Sequence, residues 1–155
     1  MTDDASTHAV GTSAAQELSV PDLIRAVELL KQAGQSGAAA ALYATWIEHN
    51  PQHPLLYAVL FNYSVALGDA EQLEAARGCL ERAIALSPDF IPAYINLGRI
   101  HERLGNVGAA LAQWSAALAR MNGITGTAVS HKTTTLNQSA RALEAADQDA
   151  AAAPD

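Results

Sequence analysis

INLGRIHERLGNVGAALAQW, residues 95–114, places small and large side chains at measured intervals: Leu97-Gly98, then Gly105, Ala110 and Trp114. With Tyr94 just before it, the series Tyr94, Leu97, Gly98 and His101 advances by three, one and three. Those steps fall on one face of a helix of 3.6 residues per turn. Gly105 ends that helix, since glycine enters the left-handed C-terminal conformation at least cost. Asp89 stands where the helix needs an N-cap, and Asn106 where a second helix needs one. The second helix carries Ala110, Trp114, Ala117 and Leu118 along its apolar face. Gly98 and Ala110 let the two backbones approach closely, while Tyr94 and Trp114 fill the space beside them. The stretch predicts an antiparallel helix pair.

Further out, the chain repeats itself. Gly34, Gly68 and Gly105 lie 34 and 37 residues apart, and Pro51 and Pro88 lie 37 apart. A period in the mid-thirties indicates helix pairs that cannot bury their apolar faces alone and so stack. The expected architecture is all-α: three helix pairs at about 20–53, 54–90 and 91–124, followed by a capping helix over 128–144 carrying Val129, Leu136, Ala140 and Leu143. Residues 1–19, rich in Thr, Ser, Ala, Asp and Gly, and the acidic alanine-rich stretch 145–155 read as disordered tails.

The third unit then matches the pattern of the tetratricopeptide repeat (W-x2-L-G-x2-Y, A-x3-F, P) through Tyr94-x2-Leu97-Gly98-x2-His101 and Ala110-x3-Trp114, with Asn122 in place of the closing proline. The second unit keeps Tyr57-x2-Leu60, Ala76-x3-Leu80 and Pro88, at the cost of Phe61 in the small-residue place and three extra residues after Gly68. The first retains Leu23-x2-Ala26, Ala39-x3-Tyr43 and Pro51. The chain thus resembles a tetratricopeptide array. Over roughly 50–144 it also resembles the N-terminal repeat region of bacterial SPINDLY-like, O-linked N-acetylglucosamine transferase-type proteins. In that family the repeats align polypeptides for a large glycosyltransferase domain that follows them. The few residues after the last expected helix are too short for such a domain, so this sequence is expected to carry no transferase activity.

Composition excludes several function classes. Of 155 residues, half are apolar, and the formal charge is −7. That excess is terminal, because Asp22 to Glu102 supply nine acids against nine Lys and Arg in the whole sequence. With no basic stripe, nucleic acid is not an expected partner. No uncharged apolar run is long enough to span a bilayer, so no membrane is expected either. Cys79 is the single cysteine and reads as a small buried hydrophobe in a cytoplasmic protein.

Binding residues are expected on the first helix of each unit, opposite its core face. In the third unit that face presents Ile95, Asn96, Arg99, Glu102 and Arg103; in the second, Leu55, Ala58, Val59, Asn62, Val65 and Ala66. One half of the groove is then charged and the other apolar, and a contiguous apolar patch calls for a cover. The family resemblance implies that Asn96 grips a peptide's backbone amides, with Arg25 and Val59 at the matching places of the earlier units and Gln138 in the last. Arg99 and Arg141 recur in register and are suited to a partner carboxylate. His49 and His53 flank Pro51 and do not share a helical turn, so they read as loop residues and no metal site is expected. His101 reads as a packing residue, and His131 opens the capping helix. No nucleophile–base pair and no phosphate-cradling glycine loop argues for catalysis or a cofactor. The sequence therefore points to a noncatalytic module holding a peptide or protein partner in its groove, with homodimerisation through the apolar second-unit face as the alternative.

Overall fold

A computed structural model describes residues 15–123 of the chain. The described residues form six α-helices and no strand: α1 Val20–Gln32, α2 Ser36–His49, α3 Leu56–Asp69, α4 Leu73–Leu86, α5 Ile91–Arg103 and α6 Val107–Met121. Each helix packs on the one before it, and α3·α4 and α5·α6 are the most extensive pairs. The helices are paired and stacked in chain order, as the period requires. The expected capping helix at 128–144, with His131, Gln138 and Arg141, and the tail at 145–155 lie outside the described residues.

The three turns inside the helix pairs show the true phase of the repeat. In each, one residue has positive φ: Gly34 at 74°, Glu71 at 60° and Gly105 at 81°. The amide of the next residue reaches back five positions in every case, Gln35 to Leu30, Gln72 to Leu67 and Asn106 to His101, each at 2.8 Å. That closure satisfies orphan carbonyls at the helix end. The equivalent residues are therefore 34, 71 and 105, and Gly68 is not one of them. This corrects the expected phase of the second unit. Its first helix aligns on Leu60, Tyr63, Ser64 and Leu67, so Ser64 holds the small-residue place of Gly98. The three extra residues precede α3, in the connector that follows Pro51, and not after Gly68.

The helix ends bring two more corrections. Ser19, expected in a disordered tail, is the N-cap of α1, and its hydroxyl accepts from the Asp22 amide at 3.3 Å. The segment before it is tied to α2: the Trp46 indole N–H donates to the Leu18 carbonyl at 2.8 Å, and the Asn50 amide donates to the Gln16 carbonyl at 3.0 Å. Asp89 does not cap α5. Phe90 holds that position, with Pro92 in the first turn, where a missing N–H costs nothing. Asn106 is the N-cap residue of α6, but its side chain makes no capping bond.

The core runs from Leu23 and Val27 through Trp46, Leu60 and Leu80 to Leu97 and Ile100. Ala39, Ala76 and Ala110 stand at one repeat position and are all enclosed, which is what close crossing of paired helices demands. The spacing that decided the fold is explained at Gly98. A Cβ there would lie 2.5 and 2.6 Å from Cδ1 and Cε2 of Trp114, and nearer still to its Nε1. The indole occupies the room that the missing side chain leaves, and its N–H donates to the buried Ile95 carbonyl at 3.2 Å. Tyr94 closes the other end of α5. Its hydroxyl donates to the Pro88 carbonyl at 2.7 Å, and the Arg120 guanidinium lies 4.2 Å from its ring centroid.

Candidate functional site

The first helices of the second and third units, α3 and α5, enclose a cleft of about 360 Å³. Ser64, Val65, Gly68 and Asp69 line it from α3, and Asn96, Arg99, Ile100, Glu102 and Arg103 from α5, with Leu80 of α4 at its floor. Five residues expected to bind a partner therefore meet in one place: Val65, Asn96, Arg99, Glu102 and Arg103.

The other expected residues divide. Ile95 is 6 % exposed and packs with Ile91, Tyr94, Ala117 and Met121, so it belongs to the core and not to the groove. Val59 is fully enclosed in the main core. Ile95 is covered by α6, its own partner helix, while Val59 belongs to the cluster that runs through all three units. In a stack the first helix of a unit is covered by its own partner and also by the preceding unit, so the side opposite its core face is only partly free. Ala58, Asn62 and Ala66 are half-buried. Ala66 faces a second cavity of about 250 Å³, lined also by Lys31, Ala39, Leu67 and Asp69. Leu55 is exposed, but it precedes α3 and lies ten residues from Val65. Of the apolar face expected on the second unit, Leu55 and Val65 are exposed, Ala58 and Ala66 half-buried and Val59 enclosed.

Within the cleft the charged side chains differ in how far they are engaged. The Arg103 guanidinium donates to the Gly68 carbonyl at 3.0 Å and to the Glu71 carboxylate at 2.8 Å, tying α5 to the turn of the preceding unit. Glu71 is the residue that holds the left-handed position glycine takes in the other two units. Glu102 also has a partner. Arg99 is exposed and makes no ion pair among the described residues, and the same is true of Asp69. The half-buried Asn96 amide makes no hydrogen bond there either, leaving its donor and acceptor available to a ligand.

The corrected phase also recovers what sequence reading missed. Asn62, not Val59, stands one 34-residue repeat before Asn96, and Asp69 stands at the place of Arg103. Ser64, Gly68, Asp69, Leu80 and Ile100 line the cleft unforeseen. The alanines at 39, 76 and 110 carried the signal, because their spacing gives the same phase as the turns. Among the described residues, His49 and His53 are engaged structurally. One nitrogen of His49 meets the Thr45 carbonyl at 2.9 Å, while His53 stands edge-on to Trp46 and accepts the Leu55 amide at 3.0 Å. His101 is buried, as expected of a packing residue, and its Nδ1 has no hydrogen-bond partner among the described residues. Burial raises the Cys79 thiol above its ordinary pKa. Among the described residues no group of three or more His, Cys, Asp or Glu side chains is placed to hold a metal ion, and no helix is long and apolar enough to cross a membrane.

Comparison with known proteins agrees with this geometry. The family model for the tetratricopeptide repeat matches residues 57–90, the second unit as the turns define it. No curated protein sequence matches the chain. Among solved structures, the first TPR of Spaghetti (RPAP3) bound to the HSP90 peptide SRMEEVD is 17 % identical with a TM-score of 0.65, over 81 % of this chain and 90 % of that one. The TPR2B domain of yeast Sti1 in complex with an Hsp70 peptide is 17 % identical with a TM-score of 0.63, over 78 % and 95 %. The Sgt2 TPR domain of Aspergillus fumigatus is 20 % identical with a TM-score of 0.64, over 86 % and 84 %. The chain thus carries a tetratricopeptide repeat at 57–90 and folds as a tetratricopeptide-type helical solenoid.

Proposed function

We propose that this protein is a noncatalytic interaction module that holds an extended segment of a partner protein in the α3/α5 cleft. The observation that carries this reading is the convergence of Asn96, Arg99 and Val65 on one open cleft in which the amide and the guanidinium have no partner among the described residues. Such groups are hydrated in the free protein and available to a peptide backbone and a partner carboxylate, while Val65 and Ile100 offer apolar contact beside them. Two structural neighbours hold HSP90 or Hsp70 peptides, which supports the same use of the fold here. We further propose that Asn62 and Asn96, one repeat apart, both grip the backbone, as the resemblance to SPINDLY-like repeat regions implies, and that the chain derives from the front end of such a transferase. Self-assembly through the second unit is the less favoured reading, because Val59 is enclosed and Leu55 and Val65 are the only large apolar side chains exposed among the described residues of that face.

Selection from a random dodecamer peptide library displayed on phage tests the reading. The wild type is expected to enrich peptides that an Asn96→Ala/Arg99→Ala variant of equal helicity fails to hold. No enrichment, or equal retention by the variant, overturns it.

A further inference from the structure

The cleft leaves two charges of opposite sign uncompensated. Arg103 is tied to Gly68 and Glu71, and Glu102 has a partner. Arg99 on α5 and Asp69 at the end of α3 face the same space and pair neither with each other nor with any other described residue. In repeat coordinates Asp69 lies four residues further along its helix than Arg99 does along its own. The four-residue offset is about 6 Å along the axis, and directly packed helix axes stand about 8–10 Å apart, so the two backbone sites are on the order of 11 Å apart or more. At that distance water and salt screen most of their mutual attraction.

From this geometry we infer that the segment held in the cleft carries its own charge pair, a carboxylate that meets Arg99 and a Lys or Arg that meets Asp69. The inference rests on the cleft being a peptide site and specifies the class of peptide. A purely acidic segment would gain Arg99 but run against Asp69 and Glu102. A purely basic one would gain Asp69 but meet Arg99 and Arg103. A segment of mixed sign satisfies both free charges and opposes neither, and like-charge contacts are what exclude wrong partners. At about 3.3 Å per extended residue, the two partner charges should stand roughly two to four residues apart.

The test is the same dodecamer library followed by a charge-swap cycle. Peptides enriched on the wild type are expected to share an acid and a base at that spacing. Replacing the peptide's acid by Lys should weaken binding about tenfold in fluorescence anisotropy, and Arg99→Glu should restore it; Asp69→Lys should do the same for the peptide's base exchanged for Glu. Enriched peptides without a charge pair, or a swap that restores nothing while circular dichroism reports intact helices, overturn this inference and leave the peptide site standing. A library that yields no binder removes the peptide site itself, and the inference with it.

Discussion

Replacing Gly98 by alanine adds one methyl group where the Trp114 indole already sits. In an open helix interior the change should stabilise by about 0.5–1 kcal/mol, because alanine loses less backbone freedom on folding. Here the new Cβ would stand 2.5 Å from Cδ1 of a fully buried tryptophan, a separation that atoms do not tolerate. The indole must move, at the overpacking cost of about 1–3 kcal/mol. Its N–H then loses the Ile95 carbonyl, which costs about 1–3 kcal/mol if both groups stay buried and unpaired. The net expectation is a loss of about 3 kcal/mol, or on the order of 10 °C in Tm for a domain of this size. Gly78 provides the control, since it is exposed in α4 and a Cβ there meets nothing within 4 Å. Gly78→Ala should raise Tm by a few degrees. Thermal melts followed by circular dichroism measure both, and the indole N–H resonance of Trp114 should shift in Gly98→Ala while that of Trp46 stays. Should Gly98→Ala melt within two or three degrees of wild type, or gain as Gly78→Ala does, the packing argument for the α5/α6 pair is wrong.

Three further changes follow from the turns, the caps and the buried acids. At Glu71 a left-handed backbone costs a side chain about 1–2 kcal/mol, while its ion pair with Arg103 involves a carboxylate 77 % exposed and is worth at most about 1 kcal/mol. Glu71→Gly should therefore unfold in urea within about 1 kcal/mol of wild type, and Glu71→Val clearly earlier; a Val variant as stable as the Gly variant would contradict the assignment of strain. Ser19→Ala removes the α1 cap and should cost about 1 kcal/mol, read as a lower urea midpoint, whereas an unchanged midpoint would place the start of α1 elsewhere. Burial raises the acids Tyr43, Tyr63 and Cys79 above their ordinary pKa, so the folded chain keeps protons that the unfolded chain releases in alkali. The native state then binds more protons, so stability should be full below the unfolded pKa values and fall as pH rises through the alkaline range. Guanidinium midpoints from pH 8 upward should decline, less steeply in a Tyr63→Phe/Cys79→Ala variant; a flat or rising profile would oppose this.

The third unit was legible because its small and large residues coincide with the breaker: Gly98 with Trp114, and Gly105 at the turn. The second was read three residues out of phase because glycine was taken as the marker of the turn. There the left-handed position belongs to Glu71, held by Arg103 from the next unit, and no local pattern announces a partner 32 residues away. The alanines at 39, 76 and 110 kept the true phase, since a close helix crossing constrains size more strictly than a turn constrains residue type. Periodicity assigns one buried face to a helix, but in a stack the first helix of each pair has two. Val59 and Ile95 were therefore expected in the groove, although Val59 lies in the main core and Ile95 packs against α6. Asn96, Arg99 and Val65 were found because they lie where the two covered faces leave a gap. Asp69 was missed because the phase error concealed its equivalence to Arg103. The tie from Trp46 to Leu18 depends on a backbone carbonyl, which leaves no trace in residue type.

The central claim is that a partner segment lies between α3 and α5, and a nitrogen–proton correlation titration of the labelled protein with a library-selected peptide tests it most directly. The account predicts saturable shifts of the Asn96 side-chain amide, the Arg99 Nε–H and the backbone amides of Val65 and Asp69, with Arg82 and Glu81 on α4 unmoved. Shifts concentrated on α4 or α6 with the Asn96 amide unchanged would contradict it.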